Sequence, residues 1–425
     1  IYYDVFIYNF TYGIFMSIMR CKLFFFLVIV SFKAFSQLGC TDPQALNYNS
    51  NASINDGSCV YDVTDYSPIL IGDLPSALNE NSGLIYWDDK LVTFNDSGGA
   101  NKIYLIDTNG VNIVQEITIS NAQNIDWEAI AQSSDSIYVG DFGNNAGSRQ
   151  NLCIYGISKS DILLTTNNSV VGVKSQFNYA DQVVFSGQYE NHNYDCEAFF
   201  YHNDSLHLFT KNWGDLYTKH YVLPSSNQNV FSASVKDSLY VDGLITDASL
   251  DSINNRILLL GYKNNGSNFY TSFVYLLFDY SANNYFSGNK RRIEIGSMLE
   301  VSQTEGISWS DSLTGYISAE EIVSVITISP KLFSFDFSTY LSNSLSKTDD
   351  LEESYWLAPN PVIDYMILPE DIKTFSIMNQ SGKVIIERID YITNNLIDLK
   401  FLKAGKYFLK DLKNNRVYKF VKLDY

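Results

Sequence analysis

Histidine and proline are scarce in this sequence of 425 residues, and basic residues are outnumbered by acidic ones. There are 4 histidines and 8 prolines, with 29 Lys and Arg against 47 Asp and Glu, giving a formal charge of -18. So few histidines leave little material for a zinc site or a histidine-based catalytic triad. The negative charge argues against a nucleic-acid partner held by phosphate neutralisation. GxSxG, HExxH and phosphate-loop motifs do not occur in the sequence.

Long hydrophobic runs are also missing, apart from one near the N-terminus. From Met19 the sequence reads MRCKLFFFLVIVSFKAFSQ, in which two basic residues precede about ten apolar ones and then Ala34-Phe35-Ser36. This pattern predicts a secretory signal peptide over residues 19–36, with residues 1–18 as an upstream extension. The run is short for a transmembrane span. We therefore expect a mature protein without a transmembrane segment, either secreted or attached to the outer-membrane surface.

Four cysteines remain once Cys21 is removed with the signal peptide. Export permits disulfides, and Cys40 and Cys59 bracket GCTDPQALNYNSNASINDGSCVYD, a turn-rich segment too small to fold on a core of its own. A bridge between them would contribute roughly 3 kcal/mol. Lipidation of Cys40 is the alternative, and it would leave Cys59 without its partner. Cys153 and Cys196 form either a second bridge or two buried thiols, and we favour thiols.

The segment over residues 37–64 resembles a short module, GCTDPxAxNYxPxAxxDDGSC, that recurs in secreted proteins of Bacteroidetes. Ser50 stands here where proline is usual, and Asn55 stands where aspartate is usual. These departures count against calcium binding by the module itself. The resemblance implies a small disulfide-clipped module ahead of the main domain.

A five-fold repeat organises the middle of the chain. Each copy has an acidic residue, a small residue, an apolar strand, a turn with Asp or Asn, and a second apolar strand. Such hairpins, recurring at roughly fifty residues with further strands between them, are typical of a β-propeller. The copies are ENSGLIYWDDKLVTFNDSGG from Glu80, DWEAIAQSSDSIYVGDFGNN from Asp126, DCEAFFYHNDSLHLFTKNWGD from Asp195, TDASLDSINNRILLLGYKNN from Thr246 and TEGISWSDSLTGYISAEE from Thr304.

The repeat predicts an all-β fold with a β-propeller over residues 65–340. The high aromatic content, 15% of the residues, agrees with β-structure. Five blade motifs are legible, and the long gaps between them leave room for a sixth, degenerate blade. The stretch PILIGDLPSA is predicted to close the ring against the last blade near Phe333.

The acidic residue of each copy forms a candidate site. In a propeller the innermost strand of each blade lines the central channel, so acidic side chains at its start would converge on the axis. Like charges at close range raise one another's pKa or recruit a cation. The alternative is that these side chains cap turns and bond to backbone amides. The positions are Glu80, Glu128, Glu197, Asp247 and Glu305.

Residues 78–321 resemble a family of uncharacterised secreted bacterial β-propellers, through NDSGG, DWEAIA, YVGDFGNNAGSR, YDCEA, FTKNW, TDAS and QTEGISW in this order. That fold is similar to esterase-like phytases and calcium-dependent lactonases, which hold calcium at the channel mouth. The resemblance implies Ca²⁺ bound by some of Glu80, Asp126, Glu128, Asp195, Glu197, Asp247 and Glu305. Further ligand-binding candidates in the matched motifs are Asp96, Asp141, Asn144, Arg149 and Lys211, of which the two basic residues could receive an anionic group.

Two functions fit this sequence. One is a binding scaffold that presents the propeller face to a glycan, a peptide or an anionic small molecule and holds a cation in its channel. The other is a calcium-dependent hydrolase of phosphate esters or lactones. A fold does not carry a function, and so acidic a body suits anionic phytate poorly unless calcium bridges the two. We favour the scaffold and leave open whether the protein is an enzyme.

The C-terminal region differs from the rest in charge. From Trp356 onward there are 11 basic and 8 acidic residues, against 18 basic and 39 acidic in the remainder. The polar stretch over residues 341–354 is expected to be a linker. Short alternating strands between turn signals then predict a small Ig-like β-sandwich over residues 355–425.

This tail resembles the type A C-terminal sorting domain of the Bacteroidetes type IX secretion system, through PNPV, NQSGKVI, IDLKFLKAGKYFL and YKFVKL. The resemblance implies the type IX machinery as a partner, delivery across the outer membrane, and later removal of the domain. A generic carbohydrate-binding or adhesive β-sandwich is the alternative.

Overall fold

The structure, a computed structural model, consists of two compact units that divide between Ser344 and Leu345. The predicted upstream extension, signal peptide, linker beyond residue 341 and first residues of the sorting domain lie outside the described residues. No helix in the described part of the chain has the length and apolar character needed to cross a membrane. The described residues are 37–109, 111–225, 230–266, 269–323, 327–341, 361–368, 372, 374–379, 383–389, 396–413 and 417–423.

The N-terminal module is held by the predicted disulfide between Cys40 and Cys59. Two short parallel strands cross it, β1 (Leu38–Gly39) and β2 (Ile54–Asn55). Asn55 donates through Nδ2 to Asn289 Oδ1 at 2.9 Å, so the module packs on the propeller and not on a core of its own. Cys153 and Cys196, the other two cysteines of the described chain, are buried free thiols, as predicted.

Five blades of four strands each make up the rest of the first unit, which confirms the predicted β-propeller. Strand β3 (Ile69–Asp73) comes before blade 1 in the chain and belongs to the sheet of blade 5. Blade 1 contains β4 (Asn81–Trp87), β5 (Lys90–Asn95), β6 (Lys102–Asp107) and β7 (Ile113–Ile119). Blade 2 contains β8 (Trp127–Gln132), β9 (Ser136–Asp141), β10 (Cys153–Ser158) and β12 (Val173–Tyr179). Between β10 and β12 lie helix α1 (Lys159–Leu164) and strand β11 (Ser169–Val170), and β11 pairs with β7 of blade 1.

The remaining blades follow the same order, with the innermost strand first. Blade 3 contains β13 (Cys196–His202), β14 (Ser205–Thr210), β15 (Tyr217–Pro224) and β16 (Val230–Tyr240). Blade 4 contains β17 (Leu244–Asp251), β18 (Arg256–Asn264), β19 (Tyr270–Phe278) and, after a 3-10 turn (Tyr285–Ser287), β20 (Asn289–Ser297). Blade 5 contains β21 (Gln303–Trp309), β22 (Thr314–Glu320), β25 (Lys331–Asp336) and, as its outermost strand, β3. Helix α2 (Met298–Val301) precedes β21, and helix α3 (Ser338–Leu341) follows β25. A separate small hairpin, β23 (Ile322–Val323) and β24 (Thr327–Ile328), lies between β22 and β25.

Each repeated motif is the innermost hairpin of one blade. In blades 1 and 3 the two turn residues, Asp88-Asp89 and Asn203-Asp204, all have positive φ between 48° and 58°. This is the two-residue turn whose twist matches that of the flanking strands, and Asp and Asn tolerate it best among residues other than glycine. The Asp and Asn content of the motif therefore follows from the geometry of its turn.

The ring closes by pairing the first strand with the last blade. Strand β3 runs antiparallel to β25, with Leu70 opposite Phe333 as predicted. Lys331 Nζ lies 2.8 Å from Asp73 Oδ1 in the same pair of strands. The innermost strands β4, β8, β13, β17 and β21 each contact the next around the ring, and β21 contacts β4. Five blades thus complete the circle without a sixth.

Blades are buried on both faces, which explains the near-continuous apolar strands. In blade 4, Ile257 and Leu259 pack in the apolar cluster toward blade 3, while Leu258 and Leu260 pack toward blade 5. Successive strand residues point to opposite faces, so a strand with a neighbouring blade on each face must be apolar at every position. Equivalent clusters fill the other three spaces between adjacent blades.

The second unit is a small β-sandwich, in agreement with the sequence. Strands β26 (Tyr365–Ile367) and β29 (Leu396–Asp398) form one sheet. Strands β27 (Phe375–Asn379), β28 (Val384–Ile389), β30 (Gly405–Asp411) and β31 (Val417–Lys422) form the other, in the order β28-β27-β30-β31. Buried side chains from both sheets share one apolar core that includes Met366, Ile397, Leu409 and Phe420.

Three of the four histidines meet where blades 3 and 4 pack together. His207 Nδ1 lies 2.9 Å from His220 Nε2, and the Tyr285 hydroxyl lies 2.9 Å from His202 Nδ1 and 3.4 Å from His207 Nε2. Burial lowers the pKa of His207 to about 4 and that of His220 to about 3. Both imidazoles are therefore neutral in the folded protein at neutral pH.

This histidine cluster predicts a loss of stability in mild acid. The unfolded chain binds protons near pH 6.5, while the folded chain binds them only near pH 4 and below. Above pH 6.5 these histidines are neutral in both states and do not reduce the free energy of unfolding. As the pH drops from 6.5 toward 4, the free energy of unfolding falls by up to about 1.4 kcal/mol per pH unit for each histidine. Urea unfolding at pH 7.5 and pH 5 should show a smaller difference in His220→Phe than in wild type. Equal differences would contradict this account.

Candidate functional site

A β-bulge interrupts the innermost hairpin of every blade near its start. In blades 2, 3 and 5 the register shift leaves Glu128, Glu197 and Glu305 as the extra, unpaired residue. A bulge re-aims the side chain of its extra residue. All three side chains line one cavity of about 170 Å³, which residues from all five blades enclose around the axis.

Blades 1 and 4 depart from the predicted equivalence. In blade 4 the extra residue is Thr246, one position before Asp247. In blade 1 the register shifts between Ser82 and Ile85, and the exposed Glu80 precedes the strand. The structure thus brings three of the five repeated acidic positions together and leaves Glu80 and Asp247 outside the cavity lining.

Asp247 has a different environment. Its buried carboxylate accepts hydrogen bonds from the backbone N–H groups of Leu84 at 3.2 Å, Ala248 at 2.8 Å and Ile307 at 2.7 Å. Burial raises the pKa of this carboxyl group well above its usual value, and the three amides act in the opposite direction. Asp247 therefore follows the alternative prediction for the repeated acidic residues, that they bond to backbone amides. Its three hydrogen bonds link blades 1, 4 and 5.

The closest group of carboxylates is formed by Asp96, Asp126 and Glu128. One carboxylate oxygen from each lies within 4.8 Å of the others. Burial raises the pKa of Asp96 to about 6, and burial with the charges of Asp96 and Asp195 raises that of Asp126 to about 7. The pKa of Glu128 rises well above its usual value through burial and the charges of Asp96 and Glu197. Asp96, a ligand-binding candidate, thus joins two of the metal candidates.

The carboxylate of Glu128 faces the cavity. Glu128 is 4% exposed, and among the described residues no N–H or O–H group donates to its carboxylate. A Cβ atom at Gly143 would lie 2.3 Å from Glu128 Oε1 and 2.6 Å from Asp126 Oδ2. Glycine in the sequence DFGNN therefore leaves the space in which the two carboxylates come together.

The guanidinium group of Arg149 binds the loop that carries Gly143. Its guanidinium donates to Asp141 Oδ1 and to the Gly143 carbonyl oxygen, both at 2.8 Å, and lies 3.8 Å from Asp126 Oδ2. Asn144 Oδ1 accepts from the Arg149 backbone N–H at 2.9 Å. Arg149, Asp141 and Asn144 thus hold this loop in place, and none of the three lines the cavity.

Lys211 supplies the positive charge among the residues that line the cavity. Its ammonium group lies 2.5 Å from Glu197 Oε2 and rests over the rings of Trp213 and Tyr262 at 5.0 and 5.1 Å. Burial lowers the pKa of Lys211, but the neighbouring Glu197 carboxylate outweighs it and the net shift is well upward. Lys211 is therefore a protonated partner of Glu197. The nearby Asp195 accepts from Trp213 Nε1 at 2.8 Å and the Asn144 N–H at 2.6 Å.

Several residues that line the cavity are not among the predicted site residues. Lys211, Tyr262 and Glu320 share one position in the second motif strand. Each directly follows the residue that pairs with the last residue before the bulge, which is Thr210, Gly261 or Ala319. Aligning that position across the five copies would have found Tyr262 and Glu320. Tyr189 and Glu190 come from a loop between blades 2 and 3, and the repeat holds no signal for them. Other lining residues that were missed are Ser82, Asn145, Trp213 and Gln303.

No family model and no curated protein matches the chain. Its fold is similar to a mannose phosphorylase from Leishmania mexicana in complex with phosphate ion (11% identity, 65% of this chain and 90% of that chain, TM-score 0.38). It is also similar to a GH43 β-1,3-galactosidase (8%, 61% and 90%, TM-score 0.36). A chain of the mitotic checkpoint complex matches at 11% identity and TM-score 0.28, over 60% of this chain and 61% of that chain. Such similarity concerns the fold and carries no argument about activity.

The contacts of Asp247 predict that its loss weakens the ring. Asp247→Ala leaves the amides of Leu84 and Ile307 buried without an acceptor, which should lower the free energy of unfolding by about 2–4 kcal/mol. Urea denaturation measures this change. Glu116→Ala is the control, because the exposed Glu116 pairs only with Lys102 at the surface and its removal should cost less than about 1 kcal/mol. Similar losses in both variants would refute the linking role of Asp247.

Proposed function

We propose that this protein is an exported β-propeller that acts as a binding scaffold and holds a divalent cation, Ca²⁺, on its axis. The observation that carries the proposal is the buried carboxylate of Glu128, which lacks a hydrogen-bond donor among the described residues and faces Asp96 and Asp126. Three carboxyl groups this close together in a buried site can all be ionised only at a high cost in free energy. A cation bound among these three side chains removes that cost.

The donor set fits calcium better than other metals. Asp96, Asp126 and Glu128 offer only carboxylate oxygens, the ligands that hard cations prefer. Among the residues that line the cavity there is no histidine or cysteine, so a metal that needs nitrogen or sulfur finds no ligand there. The room left by Gly143 adds a second reason, since a side chain at that position would occupy the meeting point of two of the carboxylates.

The other predicted metal ligands are not assigned to the cation in this proposal, and most of them have partners within the protein. Glu197 is neutralised by Lys211, Asp195 is satisfied by Trp213 and the Asn144 backbone, and Asp247 is satisfied by backbone amides. Glu305 accepts from Gln303 Nε2 at 2.8 Å and lines the same cavity. The cation is thus assigned to three residues, and Glu80 has no part in holding it.

The hydrolase alternative finds less support in these contacts. A bound cation would act as a Lewis acid toward an ester or phosphate oxygen. Yet Lys211 and Arg149, the two residues that could steady a developing negative charge, each donate to a carboxylate of the protein itself. We therefore retain the scaffold, and turnover of phosphomonoesters, lactones or aryl esters by the calcium-loaded protein, abolished by Glu197→Gln, would overturn that choice.

Calcium should stabilise the propeller. At a free concentration 100 times the dissociation constant, a ligand that binds the folded state alone adds about 2.7 kcal/mol, which raises Tm by several degrees in a domain of this size. Thermal unfolding in millimolar calcium and in chelator measures the shift. Equal Tm values in the two conditions would rule out the cation site.

Glu128→Gln should remove the calcium shift and also raise the stability of the calcium-free protein, because folding no longer has to neutralise a carboxyl group whose pKa is raised by burial. Glu116→Gln, a change of the same chemistry on an exposed strand, should leave both values as in wild type. A calcium shift that survives Glu128→Gln would place the ion elsewhere.

Export by the type IX system is part of the same proposal. It is supported by the signal-peptide pattern, by the tail motifs and by the tail forming a compact unit with its own apolar core. A disulfide in the N-terminal module is compatible with an oxidising compartment outside the cytoplasm. The type IX machinery is thus the proposed partner of the second unit, and the cell surface or the medium is the proposed destination.

Removal of the tail should stop delivery at the periplasm. In a host with type IX secretion, a chain truncated before Trp356 is expected to accumulate there, while the full chain reaches the surface or the medium. Cell fractionation and protease accessibility of intact cells measure the distribution. Surface delivery of the truncated chain equal to that of the full chain would refute the sorting role.

A further inference from the structure

The axial cavity extends well beyond Asp96 and Glu128, the two residues assigned to the cation that line it. Its volume of about 170 Å³ is roughly ten times the space that one water molecule requires. Tyr262, Trp213, Gln303 and Asn145 form part of the remaining wall. A cation with its waters would therefore share the cavity with a further ligand.

The charge of the wall indicates which ligands fit. A carboxyl group offers acceptor oxygens in both of its protonation states, and Lys211, the positively charged residue among those that line the cavity, is already bound to Glu197. An anionic ligand would face like charge even beside a divalent cation, whereas hydroxyl groups would find acceptors. The carboxylates that line the cavity are those of Asp96, Glu128, Glu190, Glu197, Glu305 and Glu320.

An exposed aromatic ring stands at the mouth of this cavity. Tyr189 is 70% exposed, although the backbone on both sides of it is anchored. The N–H of Gln188 donates to the Ala146 carbonyl oxygen and that of Glu190 donates to the Asn145 carbonyl oxygen, both at 2.9 Å. A ring that is open to solvent on an anchored backbone offers a flat apolar surface beside the polar cavity.

We propose that the cavity binds a neutral saccharide, one sugar ring of which donates its hydroxyl groups to the carboxylates and packs its apolar face on Tyr189. A sugar ring combines hydroxyl donors with a flat C–H face, and these are the two features that the wall and the rim require. The inference rests on the proposed function, because the bound cation lowers the net negative charge of the cavity and supplies a second partner for the hydroxyl oxygens.

The test is a glycan array of neutral and acidic glycans, probed with the purified chain in calcium and in chelator, with Tm recorded under both conditions. Neutral glycans should be retained in calcium and released in chelator. Tyr189→Ala should weaken binding about tenfold, since an aromatic contact of about 1.4 kcal/mol is lost, and should leave the calcium-induced rise in Tm unchanged. Tyr189→Phe should bind as wild type does. Tyr240→Ala, which removes a half-exposed tyrosine from β16, is the matched control.

The two readouts separate this inference from the proposed function. A rise in Tm with calcium but no retained neutral glycan, or glycan binding unaffected by Tyr189→Ala, would overturn the saccharide inference and leave the cation proposal intact. Equal Tm values with calcium-dependent glycan retention absent would overturn both. Spermidine and inorganic phosphate serve as further probes, and binding of either in place of neutral glycans would assign the cavity to an organic cation or an anion instead.

Discussion

The pairing of β3 with β25 is the contact on which the rest of the first unit depends. Each blade offers two apolar faces, and each face needs a neighbour to exclude water from it. An open row of five blades would leave one apolar face bare at either end. Backbone hydrogen bonds between the first strand and the last blade join the two ends of the row, so that blades 1 and 5 cover each other's bare faces. The carboxylates meet on the axis because the circle closes at five blades.

The bulges then decide which side chains reach that axis. In a regular β-hairpin, the side chains of each inner strand would point alternately toward the two neighbouring blades. One extra residue per hairpin breaks the alternation, and Glu128, Glu197 and Glu305 occupy that position. Thr246 occupies it in blade 4, so that blade contributes Tyr262 from its second strand instead. The acidic character of the site thus results from a local backbone irregularity superimposed on a regular fold.

Much of the fold could be predicted from the sequence, because its signals are local. The hairpin turns, the doubly apolar strands and the paired cysteines are all legible within some twenty residues. The site was predictable only in part. Glu128, Glu197 and Glu305 follow from the repeat, but a one-residue bulge moves Asp247 out of register, and no sequence pattern marks where a ladder gains a residue. The histidine cluster and the position of Tyr189 depend on contacts between blades or between distant loops, which the sequence of one blade does not encode.

The closing strand pair also has a consequence for how the chain reaches its native state. The pair joins residues 258 positions apart, as between Lys331 and Asp73. Contacts of such long range slow folding, since most of the chain must be ordered before they form. Until β25 is in place, β3 has no strand to pair with, and the outer faces of blades 1 and 5 stay open to other chains. We therefore expect aggregation during folding to depend on how fast the ring closes more than on the stability of the closed ring.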